Sequence, residues 1–349
     1  MRRKHNATFL DMAELWLESK QSTLEETSMA KYRNIIFGSL KETFGQKRMD
    51  EISPELLRQY VRGRKDHIAS LKQEFSVMNM IFCFAGNHHK IECNPCDHVS
   101  VPRKWRKDIA VLRDEDILQL QDQFGDHPYG VVILFTLYLG LRIGETLGLT
   151  WDRVNWEAGK VMICQKMDDY YDRNLGQQVQ RFVPYTKNKV VREPKMCEQA
   201  IELLREIHKK TGSENGFVFL NPDGSEIIYA KFYYEFNKIM KAIGREDVTP
   251  HGLRHTAATT ILYTTKDLLK LRDYLGHRGT RTTRRYPVAS EHELIALAKA
   301  MDQKFMTIFL RLGGMRHADR HKIHHLGKLL GYSMRSHICI LQRRKKCQV

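Results

Sequence analysis

The chain has 349 residues and a mass of 41.0 kDa, which suits two domains that each bury a core. Lys plus Arg outnumber Asp plus Glu by 57 to 41, and this basic balance favours a polyanionic partner, nucleic acid ahead of a membrane surface. No stretch approaches the ~18 consecutive apolar residues of a membrane span. The N-terminus carries acidic residues inside its apolar part and so does not read as a signal peptide, and seven scattered cysteines read as reduced thiols of a cytosolic protein.

Residues 7–105 read as mostly helical. In the first helix Phe9, Met12, Ala13, Leu15 and Trp16 fall close to a helical period, with Thr8 and Asp11 as caps. A second helix spans 23–45 with Gly45 as its stop, a third opens at Ser53-Pro54, and a fourth covers about 71–88. Residues 93–108 combine two prolines with the basic run Arg103, Lys104, Arg106 and Lys107. They read as an interdomain linker, either lying along a polyanion or simply solvated.

The second domain starts near Leu112, with helices over 113–124 and 128–141. A β-rich middle follows in 160–167, 178–186 and 190–196. Helices return at 197–210, 229–243, 253–264 and 266–275, then a short one carrying Tyr286 and a last one over 290–305. The fold class is therefore mainly α (α+β): a helical N-terminal domain (1–105), then a mostly helical domain with a small antiparallel sheet (106–305). Residues 306–349 hold ten Lys or Arg against one Asp and form a basic tail of unassigned role.

The residues that carry chemistry are Arg142, Lys187, His251, Arg254, His277 and Tyr286. Two arginines, a lysine and two histidines around a phenol would grip a phosphodiester and offer it a nucleophile. A DNA phosphodiester is protected by its own negative charge, which grows in the transition state. Fixed cations aimed at the non-bridging oxygens offset it. Arginine suits this task because its planar fork binds phosphate in bidentate fashion and stays protonated. Tyr286, with an unperturbed pKa of about 10, needs a nearby base or a cationic field to attack. Glu145, three residues after Arg142, reads as a buttress for an arginine.

Leu-Gly-Leu-Arg142-Ile-Gly-Glu145, Thr186-Lys187-Asn188, His251-Gly-Leu-Arg254-His-Thr, Leu-Gly-His277 and Tyr286 resemble, in order and spacing, the signature of the tyrosine recombinases, or phage integrase family. The resemblance covers about 110–305, and the N-terminal helices are similar to that family's core-binding domain. It implies an enzyme that cuts and rejoins DNA through a 3′-phosphotyrosine, without cofactor or metal. Arg142 and Arg254 would clamp the phosphate. Lys187 would protonate the leaving oxygen, with Lys189 as the alternative. His251 would assist proton transfer, and His277 would bond a non-bridging oxygen or orient the tyrosine segment. The implied partners are double-stranded DNA, three further copies on paired sites through contacts of 290–305, and a directionality or DNA-bending factor, all in a bacterial cytoplasm. An integrase of a phage or mobile element is the first reading. A chromosome-dimer resolvase and a non-catalytic DNA-binding protein on the same fold are the alternatives. Pro287 departs from the small or polar residue the family carries after its tyrosine, and it restricts Tyr286 to extended backbone.

One other cluster invites a metal: His88, His89, Cys93, Cys96 and His98 include a CxxC. No second ligand pair follows at zinc-finger spacing, and no Walker or dinucleotide loop occurs, so neither metal nor nucleotide cofactor is expected.

Overall fold

The computed structural model describes residues 7–102, 109–186, 191–212, 214–265, 271, 274–275 and 301–302. Their apolar side chains gather into two separate cores, one drawn from Phe9 to Cys96 and the other from Leu112 to Met301. The architecture is mainly helical with small antiparallel ladders, as the sequence predicts. Among the described residues, no helix is long and apolar enough to cross a membrane.

The first unit consists of α1 (Phe9–Lys20), α2 (Glu26–Ile35), α3 (Lys41–Phe44), α4 (Pro54–Gly63) and α5 (Ile68–Asn87). Thr8 and Asp11 form a reciprocal cap on α1, with Asp11 N donating to Thr8 Oγ1 at 3.2 Å and Thr8 N to Asp11 Oδ2 at 2.8 Å. Ser53 caps α4 by accepting from Leu56 N at 3.3 Å. Two expectations need correction. Leu15 is exposed, and Leu17, four residues after Ala13 on the same face, takes its place in the core. The helix expected over 23–45 is also broken. A wide turn at Ile36–Leu40, with Gly38 at φ −90° and ψ −119°, separates α2 from α3. The expected linker begins later than Cys93. Asn94 holds Cys96 N at 3.0 Å and donates to Asn79 at 2.7 Å, which keeps Cys96 buried in the first core.

The second unit is built around α7 (Pro128–Leu139), which is apolar on every side and nearly all buried. Against it pack α6 (Asp114–Phe124), α8 (Ile143–Leu147), α9 (Glu198–Thr211), α10 (Tyr229–Ala242) and α11 (Pro250–Thr265). Two two-stranded antiparallel ladders replace the single expected sheet. They are β1 (Val154–Asn155) with β2 (Lys160–Val161), and β3 (Lys166–Asp172) with β4 (Gln177–Val183).

Beyond β2 the chain also bridges to its later stretch, with Ile163 opposite Arg192 and Lys160 opposite Lys195. Lys166 meanwhile pairs with Val183. Between the Ile163–Arg192 and Lys166–Val183 pairings lie two residues on one side, 164–165, and eight on the other, 184–191.

The two units meet where α2 lies against β3. Asn34 Nδ2 donates to the Tyr171 carbonyl at 2.9 Å, and Lys166 Nζ lies 2.7 Å from Asp168 and 3.5 Å from Glu25.

Candidate active site

The site begins where α7 stops. Gly140 turns the chain at φ +61°, and a Cβ there would lie 3.0 Å from Leu275 and 3.2 Å from Ala257, so both conformation and proximity call for glycine. Its carbonyl accepts Nη1 of Arg254 at 2.9 Å. Two residues on, Arg142 is the N-cap of α8, and Glu145 at the third helical position closes a capping box with Arg142 N at 2.9 Å. Gly148 ends α8. A Cβ there would stand 2.8 Å from the backbone of Lys166, so the helix lies directly on β3.

Glu145 is 2 % exposed and surrounded by arginines. Its Oε1 accepts Arg142 Nη1 at 2.8 Å and Arg192 Nη1 at 3.1 Å, and its Oε2 accepts Arg192 Nη2 at 2.5 Å. Arg254 Nη1 stands off at 3.9 Å, an ion pair without a hydrogen bond. Burial alone would raise the Glu145 carboxyl. The charge of Arg192, its two-pronged bond and then Arg142 outweigh that effect and hold the group at about 2. It is thus ionised throughout the physiological range.

Arg254 is itself 2 % exposed, an unusual place for a guanidinium. Besides Gly140 it reaches the Leu275 carbonyl, 2.5 Å from Nη2, while its Nε is buried without a partner among the described residues. Burial, then the charge of Arg142, lowers its pKa to about 9, which leaves it cationic at neutral pH. His251 stands at the start of α11, its ring 4.7 Å from that of His255 and nearly perpendicular. Burial lowers the pKa of His251, with His255, Arg254 and Arg142 adding to the effect, so the neutral imidazole that can accept a proton is favoured.

Of the six expected side chains, the described residues thus bring Arg142 and Arg254 to Glu145, with His251 near enough to feel the charge of both. Lys187, His277 and Tyr286 lie outside the described residues, as do Lys189 and Pro287. Tyr274, another phenol of this unit, is buried in the core, which raises its pKa. Near the end of the stretch expected to meet other copies, Met301 is buried in this chain's own core and Asp302 accepts Glu198 N at 2.9 Å, capping α9.

Sequence reasoning missed Arg192. A signal was present: the stretch expected as β at 190–196 alternates, with Arg192, Pro194 and Met196 inward while Val191 and Glu193 face out. An arginine on the inward register needs a buried carboxylate. Among the described residues no three His, Cys, Asp or Glu side chains converge as a metal site, and this includes the stretch from His88 to His98. Three guanidinium groups against one carboxylate leave two positive charges in excess, with Arg142 30 % exposed at the surface. Such a cluster can hold an oxyanion and stabilise charge that builds on it.

Comparison with known proteins agrees with this chemistry. Residues 111–293 match the phage integrase family and residues 8–63 its N-terminal SAM-like domain. The chain is 27 % identical over 255 residues to tyrosine recombinase XerC of Natranaerobius thermophilus, covering 70 % of this chain and 81 % of that protein. The fold resembles the Tn1549 transposon integrase solved with circular intermediate DNA (TM-score 0.64, 16 % identity, 78 % of this chain and 92 % of that one). It also resembles the lambda integrase tetramer bound to a Holliday junction (TM-score 0.62, 14 % identity, 82 % of each chain). With the family match spanning more than half of its length, this chain belongs to the phage integrase family, the tyrosine-type site-specific DNA recombinases.

Proposed function

We propose that this recombinase integrates and excises a phage or other mobile element, with Arg142, Lys187, His251, Arg254, His277 and Tyr286 as its catalytic set. The observation that carries this reading is the arginine cluster around Glu145, with its excess of two positive charges and an Arg254 Nε that has no partner among the described residues. Arg142 and Arg254 clamp the scissile phosphate. The Tyr286 oxygen attacks phosphorus, and its proton passes toward His251. The bond to the 5′ oxygen breaks, and Lys187 protonates that leaving group. The 3′-phosphotyrosine conserves the bond energy, so a 5′-hydroxyl rejoins the strand without ATP.

Residues 1–105 act as the core-binding domain and 106–305 as the catalytic domain, and together they grip double-stranded DNA in a bacterial cytoplasm. Four copies act on paired sites, as the lambda relative's tetramer on a Holliday junction suggests. The transposon origin of the Tn1549 relative supports the mobile-element role.

The test is covalent trapping. Duplexes from the DNA flanking the reading frame carry a nick that prevents religation, and products are run on a denaturing gel. The expected result is a protein–DNA band that Tyr286→Phe loses while its gel shift persists. A gel shift with no covalent band from the wild-type chain would overturn the catalytic reading in favour of a DNA-binding protein.

A further inference from the structure

Arg192 lies outside the expected catalytic set, yet it makes the shortest contact to Glu145. Its backbone is anchored to Ile163, with Ile163 N donating to Arg192 O at 2.8 Å and Arg192 N to Ile163 O at 3.3 Å. Its side chain is 10 % exposed and places one nitrogen on each carboxylate oxygen. A fork held on a strand backbone at one end and on a carboxylate at the other loses little freedom when the site is occupied.

The consequence concerns Arg254. A carboxylate as buried as Glu145 must be neutralised, and three guanidinium groups are within reach: Arg142 from the cap of α8, Arg192 from the bridge to Ile163 and Arg254 from α11. Arg192 takes both oxygens in two-pronged fashion. Arg254 is therefore left at 3.9 Å, bonded to two main-chain carbonyls and with Nε unpartnered among the described residues. Without Arg192, Arg254, already 3.9 Å from Oε2, is the cation poised to take its place, and only a short movement would bring the two into direct contact. Every donor that Arg254 gives to Glu145 is one it cannot give to a phosphate.

We propose that Arg192 is a positioning residue: by satisfying Glu145 it keeps the donors of Arg254 available to the scissile phosphate. This rests on the strand-cleavage reading above. Its action runs through Glu145, which also aligns Arg142. A lysine cannot replace it, because a single ammonium cannot span both carboxylate oxygens.

The experiment measures the rate of covalent complex formation on the duplex that the wild-type chain cleaves, alongside affinity for the same duplex by gel shift. Arg192→Ala is expected to slow cleavage by roughly 10- to 100-fold, the scale of a misplaced catalytic group. Affinity should change only about threefold, since the bulk of the phosphate contacts remains. Arg192→Lys should recover only part of the rate. In a Glu145→Gln background, Arg192→Ala should cost far less, because the two side chains act as one unit. The acid limb of the cleavage profile should also move to higher pH in Arg192→Ala, as the buried carboxylate loses its main counter-charge.

A wild-type rate in Arg192→Ala, fully additive costs in the double variant, or a loss of affinity as large as the loss of rate would each overturn the proposal. If Arg192→Ala does not fold, Arg192→Lys decides. A full rate with an unmoved acid limb in that variant would refute the positioning role. A wild-type chain that forms no covalent complex would instead refute the cleavage reading, so the two failures are distinguishable.

Discussion

Each unit of this chain buries one glutamate in a polar network, and the two networks have opposite designs. Glu74, 4 % exposed in the first unit, accepts from Ser39 Oγ at 2.9 Å, Tyr60 Oη at 2.7 Å and Arg64 Nη2 at 2.6 Å. One arginine balances one carboxylate, and two neutral hydroxyls fill the remaining lone pairs. Glu145 has three arginines and no hydroxyl. A charge-balanced buried network serves to join elements, here α4 and α5 to the turn after α2. An unbalanced one repels itself unless an anion arrives, so its surplus marks a binding site.

The sharpest way to break this comparison is Arg254→Lys, which keeps the charge and removes the fork. Cleavage should fall by about 100-fold or more, as for loss of a transition-state donor. Gel-shift affinity should be nearly retained. A near-normal rate would mean that surplus charge alone suffices and that the donor geometry of Arg254 is irrelevant.

Next in size is the contrast between the two glutamates. Glu74→Gln should lower stability by about 2 kcal/mol, because Arg64 loses its counter-charge, and it should leave cleavage per folded molecule unchanged. Reduced cleavage by fully folded Glu74→Gln would show that the first network is not merely structural. Glu145→Gln should affect both stability and cleavage, with a distinct dependence on pH. The folded-state pKa of Glu145 lies below its ordinary value of 4.5, at about 2. Its contribution to stability is therefore complete above pH ~4.5 and drains away as the pH falls toward ~2. The difference in melting temperature between wild type and Glu145→Gln should accordingly be widest near neutral pH and shrink in acid. A constant difference would contradict the charge argument.

The smallest expected effect concerns the basic tail. Removing 306–349 should flatten the salt dependence of DNA binding if those ten cations meet phosphates. An unchanged slope would restrict DNA contacts to the rest of the chain.

Much of the architecture was legible in the sequence, because local chemistry and global fold agree there. Thr8 with Asp11 and Ser53 with Pro54 announce helix starts through their own side chains, and the unbroken apolar run of α7 announces a central helix. The misses share a different cause. Leu15 and Leu17 are equally apolar, and only the position of the core decided which one is buried. The break at Gly38 and the division of the strands into two ladders come from strand and helix pairing across long separations, to which a local period is blind.

The candidate site divides along the same line. Arg142, His251 and Arg254 could be picked out because each sits in a short motif of fixed spacing, and Glu145 because three residues place it one helical turn from Arg142. Arg192 is 47 residues from Glu145, and nothing in its surroundings names its partner. By itself the sequence determined the helical class, the candidate residues of the site and the family, since these follow from local pattern and side-chain chemistry. Only the tertiary structure decided that three arginines share one buried carboxylate, that Arg254 has a donor to spare, and that Arg192 is the residue occupying its rival. The physical reason is that desolvation and charge balance depend on what surrounds a group in space, and chain distance carries no information about that.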